Sequence, residues 1–266
     1  MQPRTNPRRN PPKLFIDEGA LRMSLNHSPS IVTDGLVLCL DAANSRSYPK
    51  SGTTWSDLAG ANDGTLNNMD GANFSSDNRG TLSFDGTNEY IGCGISPMYS
   101  SSLAEFTVCS WAYVDVSTFD GTLKVICATA IDPLSGGFWV GFDDRNSTHS
   151  PINGVAWNTK NSNGYSRGKT SSNAIPSDGW YNVVLSYSSS TGVTCYINSH
   201  ENTIRSQNQT GDFTPRNNPF EIARGPTDMS SAWYFAGSIS SIQLYNRALT
   251  AAEVLQNYEA TAGRYI

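Results

Sequence analysis

The sequence predicts an all-β protein, an antiparallel sandwich or barrel with an extended N-terminal arm and a short C-terminal helix. Three observations predict it. From Ile31 onward, short runs rich in β-branched and aromatic residues recur, each bounded by Gly, Asn, Asp or Ser. That pattern marks many strands joined by tight turns. Of the 266 residues, 38% are hydrophobic and only 15% charged, which suits turn-rich β structure better than a helical bundle or a disordered chain. Only the stretch near the C-terminus combines an apolar helical stripe with helix end signals.

The arm comes first. Residues 1–13, MQPRTNPRRNPPK, hold four prolines and four basic residues. Proline fixes φ and lacks an N–H, so this segment joins neither a helix nor a central strand. LFIDEGALRMSL (14–25) is weakly amphipathic and reads as a short docking element, and NHSPS (26–30) as a linker. Two units follow: 1–30, arm and linker, and 31–266, the β domain. Within the latter, FTVCSWAYV is apolar in both registers. Val108, Ala112 and Val114 take one face; Cys109, Trp111 and Tyr113 take the other. Such a strand belongs at the centre of a sheet covered on both sides. In GFWVGF, Phe138, Val140 and Phe142 share a face and Trp139 points the other way.

GTLSFDGTNEYIGCG (80–94) sets Asp85, Asn88 and Glu89 close together. Asp-Gly is a hairpin signal, because Gly accepts positive φ and Asp bonds its own backbone. The stretch reads as a tight turn at a corner of the sandwich. The helix is LTAAEVLQNYEATAGR. Thr250 and Glu253 form a capping box, and Leu249 with Val254 a hydrophobic staple. Val254, Leu255 and Tyr258 make the apolar stripe, and Gly263 is placed to end the helix in the left-handed conformation. The helix is expected to latch onto the sandwich.

Charge and cysteine narrow the function. The net charge of −5 divides unevenly: residues 1–30 carry +3 and the remainder −8. An acidic body does not suit nucleic acid, whose phosphates demand clustered Lys and Arg. No apolar run reaches the ~18 residues of a membrane span, and residues 1–13 lack the apolar core of a signal peptide. The five cysteines form no CxxC pair and lie in apolar stretches. They read as buried, reduced side chains of a protein assembled inside a cell.

Four segments are more specific: GTLSFDGTNEYI, EFTVCSWAYV, GWYNVVLSYSSSTGVTCYINS and AGSISSIQLYNRALTAAEVLQNY. In this order they resemble successive segments of laminin G-like, concanavalin A-like lectin domains. The resemblance covers roughly 31–266 and implies a jelly-roll sandwich of two antiparallel sheets, with an FDG hairpin near its start. GLVLCLDAANSRSYPKSGTTWSDLAGANDGTL resembles the lectin-like domains of structural proteins of tailed bacteriophages, in capsid decoration proteins and fibres.

Retaining glycoside hydrolases of this fold need two carboxylates about 5 Å apart, usually from Glu and Asp two positions apart on a strand. No Glu here has an Asp two positions on, and the seven Glu are dispersed. GYSRG (164–168) matches GxSxG in its letters but opens no helix, so it forms no nucleophile elbow. His27, His149 and His200 sit in polar segments and read as solvated. GYSRGKT (164–170) misses the phosphate-loop pattern, which needs Gly where Asn163 stands. It reads as a loop with Lys169 in solvent. No enzyme is expected.

Two binding chemistries stay in view. The resemblance implies possible Ca²⁺ at loop ends, where six to eight oxygens are wanted. Asp143, Asp144 and Asn146 in FDDRNS are the candidates, with Asp132 from another loop; otherwise no cofactor is expected. Sugar binding needs aromatic faces with polar groups around them, and Trp139, Trp157 and Tyr165 are the candidates. The expected protein is a phage virion structural protein on the particle surface, assembled in the host cytoplasm. Arg4, Arg8, Arg9 and Lys13 of the arm would anchor it to other virion proteins, such as the major capsid protein or its neighbours. Host-surface glycans and further copies of the chain are the other partners considered; nucleic acid and membrane are not. A glycan-binding adhesin on a tail fibre is the alternative, and a secreted or cell-surface lectin-like module the third.

Overall fold

A computed structural model describes residues 29–95, 104–129, 136–208, 210–214, 219–225 and 233–266. The arm with Arg4, Arg8, Arg9 and Lys13, the docking element, His27 and Asp132 lie outside the described residues. In chain order the strands begin with β1 (Leu36–Asp41), β2 (Thr54–Trp55), β3 (Gly64–Asn67), β4 (Phe74–Ser75), β5 (Thr81–Asp85) and β6 (Tyr90–Ile95). Next come β7 (Glu105–Val114), β8 (Lys124–Thr129), β9 (Phe138–Asp143), β10 (Gly154–Asn161), β11 (Gly164–Lys169) and β12 (Gly179–Ser188). The last are β13 (Gly192–Ile197), β14 (His200–Glu201), β15 (Ile204–Asn208), β16 (Pro219–Ile222) and β17 (Ala236–Tyr245), before helix α1 (Ala251–Thr261).

These strands form the expected sandwich of two antiparallel sheets. One runs β14-β13-β12-β7-β17-β5-β4, with β1 also paired to β17. The other runs β15-β11-β10-β9-β8-β16-β6-β3-β2. The core lies between them. Phe106 of β7 meets Phe138 of β9 at 4.9 Å between ring centroids and stacks on Tyr187 of β12 at 5.4 Å. Such aromatic pairs add to the stabilisation from area burial alone.

The central strand β7 is covered on both faces, as its sequence predicts. Its outward Trp111 stacks on Tyr265 at 4.1 Å and Tyr258 at 5.6 Å, and its indole N–H donates to Thr261 Oγ1 at 2.8 Å. Cys109, Val184, Tyr196, Tyr245, Leu249 and Val254 make a second apolar cluster under α1. The C-terminal helix is therefore the latch. The capping box is present: Thr250 Oγ1 accepts from Glu253 N–H, and Glu253 accepts from Thr250 N–H at 2.9 Å. Asn257 extends the latch to the start of the domain. Its Oδ1 accepts from Val32 N–H at 2.8 Å, and its Nδ2 donates to Tyr245 Oη at 3.0 Å.

Four expectations need correction. Leu255 is 43% exposed; buried Asn257 takes its place beside Val254 on the inner face. Gly263 does not adopt positive φ, because the helix tightens into a 3₁₀ turn at Ala262–Arg264. That turn delivers Tyr265 to Trp111 and Arg264 to the Asp41 carboxylate at 3.0 Å. The FDG segment is the expected corner of the sandwich but not the hairpin the resemblance implies, because β5 and β6 lie in different sheets. There Glu89 accepts from Asp85 N–H at 2.7 Å and from Asn73 Nδ2 at 2.9 Å, and Asp85 Oδ1 accepts from Thr87 N–H at 2.7 Å. Both carboxylates are consumed by the turn. Finally, GYSRGK is not a loop but strand β11.

All five cysteines are buried and free. Burial pushes the thiols of Cys39 and Cys109 up to about 12, and those of Cys93, Cys127 and Cys195 higher still. Since the thiolate is the reactive form, the native protein should not react with a disulfide thiol reagent at pH 8, whereas the denatured chain should yield five thiols. Rapid native reaction would contradict this packing. Replacing Thr250 by Ala should cost about 1 kcal/mol of stability, the usual value of a cap, measured by denaturant unfolding.

Candidate functional site

α1 packs on the outer face of the eight-stranded sheet over Cys109, Val184 and Tyr245, whereas no helix among the described residues covers the outer face of the nine-stranded sheet. Strand alternation decides what it presents. Phe138, Val140 and Phe142 of β9 point inward and oppose Thr159, Trp157 and Val155 of β10. Trp139, Asn158 and Arg167 therefore point outward. They stand directly opposite one another across β9, β10 and β11, forming one row. At about 4.8 Å between strands, the row is roughly 10 Å wide.

Inward, β11 offers only Ser166 and Gly168 between its long outward residues, and this has a steric cause. Gly168 faces Trp157, and a Cβ there would lie 2.2 Å from the indole Cζ2. The core needs the missing side chain to seat Trp157. The same demand strips β11 of inward apolar residues, which is why its sequence reads as a loop.

Outward, β11 carries Tyr165, Arg167 and Lys169. The Tyr165 ring has Lys160 Nζ at 4.4 Å and the Arg167 guanidinium at 4.5 Å from its centroid. These are cation–π distances. Lys169 Nζ donates to the Ser147 and Ser150 carbonyls at 2.8 and 3.4 Å, pinning the turn that carries His149. His149 is half-buried rather than fully solvated. Partial burial lowers its pKa, and the charges of Arg167 and Lys169 lower it further. His200, by contrast, is exposed, on β14.

Further along the face, two carboxylates are each held by an arginine. Asp143 accepts from Arg145 Nε at 2.9 Å and Nη2 at 2.7 Å. Glu221 is bidentate to Arg224, whose guanidinium lies 3.7 Å from the Tyr90 ring centroid. By contrast, no ion pair among the described residues involves Lys160, Arg167 or Lys169. A positive cluster therefore stands on an acidic domain.

Two buried polar atoms in this row have no partner: Asn158 Oδ1 and Arg167 Nε. Leaving such a group unpaired costs about 1–3 kcal/mol. Unpaired buried atoms occur elsewhere too, for instance Trp55 Nε1 and Trp157 Nε1. Among the described residues, only Asn158 and Arg167 are an unpaired acceptor and donor on directly opposed residues of one outer face.

The three aromatic candidates separate. Trp157 is 1% exposed and packed in the core, so its proposed role as a stacking ring is corrected. Trp139 is on the outer face, 9% exposed, with its ring edge-on to Trp233 at 5.9 Å. Tyr165 is half-buried between its two cations. Among the described residues, no three of His, Cys, Asp or Glu are grouped to hold a metal ion. Asp143 is committed to Arg145, Asp144 accepts from Gly121 N–H at 3.1 Å, and Asn146 occupies a positive-φ turn position. This donor set does not fit Ca²⁺, which would have to displace a bidentate guanidinium. Sequence reasoning singled out Trp139 and Tyr165 on this face but not Asn158, Lys160 and Arg167; β11 read as a strand would have supplied the register that joins them.

The family profile Laminin_G_3, described as the concanavalin A-like lectin/glucanases superfamily, matches residues 85–255, and the chain belongs to that superfamily. Trypanosoma rangeli sialidase in complex with sialic acid has a similar fold: TM-score 0.58 at 18% identity, over 94% of this chain and 40% of that one. The receptor binding domain of botulinum neurotoxin C/D mosaic serotype gives 0.61 at 12%, over 86% and 52% of the two chains. The botulinum neurotoxin serotype G binding domain gives 0.56 at 15%, over 84% and 50%. At these identities the likeness is one of fold, and this chain spans about two-fifths to one-half of theirs. Comparison with curated proteins gives no match.

If Arg145 rather than a cation holds Asp143, EDTA should leave the melting temperature unchanged. A fall of several degrees, restored by Ca²⁺, would show that calcium takes the arginine's place.

Proposed function

We propose that this lectin-like β-sandwich is a non-enzymatic virion surface protein, a capsid decoration held on the particle through its N-terminal arm. The observation that carries this reading is the charge division: +3 over residues 1–30 against −8 over the rest. A basic, proline-rich arm suits an acidic particle surface, and an extended segment can cover a large area as it binds. The acidic sandwich is then repelled from that surface and projects outward. The resemblance of GLVLCLDAANSRSYPKSGTTWSDLAGANDGTL to phage structural proteins supports the same reading. Its partners are other virion proteins, such as the major capsid protein.

A glycan-binding role, as on a tail fibre, is the second reading. It is favoured by Lys160 and Arg167 beside Tyr165, which form no ion pair among the described residues. The non-enzymatic part rests on the carboxylates. Among the described residues of the nine-stranded sheet's outer face, Asp143 and Glu221 are the acids, and each is engaged by arginine. Neither is free to serve as nucleophile or proton donor in the manner of paired glycosidase carboxylates.

Deleting residues 1–30 should abolish association with the particle while leaving the β domain folded. Incorporation and circular dichroism of the truncated chain check this; normal incorporation would refute anchoring by the arm.

A further inference from the structure

We propose that the outer face of β10 and β11 binds an acidic saccharide, a sugar bearing a carboxylate or sulfate, with Asn158, Lys160, Tyr165 and Arg167 as its contacts. This deepens the glycan-binding reading and rests on it; it does not depend on the arm.

The charge comes first. Lys160, Arg167 and Lys169 carry three positive charges with no carboxylate paired to them among the described residues. The domain around them is acidic, so the cluster is a local inversion of sign. A long polyanion would meet repulsion from the rest of that domain, whereas a single anionic group on a small ligand would not. Arg167 offers the planar fork that matches a carboxylate or sulfate.

The second observation is independent of charge. Asn158 is 7% exposed, and its Oδ1 accepts no hydrogen bond. Arg167 Nε, on the directly opposed residue, is also buried and donates none. Neither atom is open to solvent, so a ligand reaches them only once the Arg167 side chain swings off Tyr165; its hydroxyl then donates to Asn158 Oδ1 and accepts from Arg167 Nε. A carboxylate alone satisfies only the arginine, because it has no proton to give. The pair thus calls for a hydroxyl next to an anion, the pattern of a sugar acid or sugar sulfate. Tyr165, half-buried beside them, offers an aromatic surface to the apolar face of a sugar ring.

The test uses the full-length chain on a glycan array with matched neutral, carboxylated and sulfated members, followed by titration of the best binder. Binding should be confined to anionic members, and the arm that responds identifies the anion. Affinity should fall with added NaCl, and Lys160→Gln or Arg167→Gln should weaken it at least tenfold. Lys160 is half-buried on the surface, so K160Q keeps the fold if R167Q does not, as melting temperatures will show. Equal binding of neutral partners would overturn the acidic specificity while sparing the glycan-binding reading. Binding of no member would overturn both the site and that reading, and anionic binding untouched by both substitutions would overturn this site alone. Particle incorporation, measured separately, is indifferent to all of these outcomes.

Discussion

The structure depends on covering both faces of one sheet. β7 is apolar in both registers, so the eight-stranded sheet cannot leave either side in water. The nine-stranded sheet covers one side, and α1 with Tyr258 and Tyr265 covers the other. This fixes where the C-terminus must go. It also explains the capping box, the Asn257 link to Val32 and the Arg264–Asp41 pair, which hold the cover in place. With those groups spent on packing, the outer face of the nine-stranded sheet is left without a helix over it among the described residues.

A second constraint shapes that face from within. Trp157 needs the space that a side chain at position 168 would fill. Small inward residues on β11 follow, and the strand's long residues all point outward. Tyr165, Arg167 and Lys169 are thereby placed side by side by the demands of the core. The same packing decision that seats a tryptophan creates a basic, aromatic row on the surface. Elsewhere on the face, carboxylates are neutralised in place by Arg145 and Arg224.

Much of the fold was legible because its signals are local. Alternation in β9, two-sided apolarity in β7 and the Thr250–Glu253 box can each be read within ten residues. What escaped depends on partners distant in sequence. β11 lacks inward apolar residues, so no period of two appears, and its strand character comes from β10 and β15. The Asp85–Gly86 turn carries the local mark of a hairpin, but sheet membership decides whether the flanking strands pair. Trp157 illustrates a readable fact left unread: Val155, Trp157 and Thr159 alternate as an inward set, which already argues for core. Asn158 and Arg167 became visible as a pair only through register.

The central claim is that binding chemistry lies on the outer face of β10 and β11 rather than at the loop ends. Amide chemical-shift mapping of the full chain, titrated with the best anionic saccharide, tests this most directly. Shifts concentrated at Asn158, Lys160, Tyr165 and Arg167 are predicted. Shifts confined to the Asp85–Glu89 corner or the Asp143–Asn146 turn, with β11 unmoved, would contradict the account.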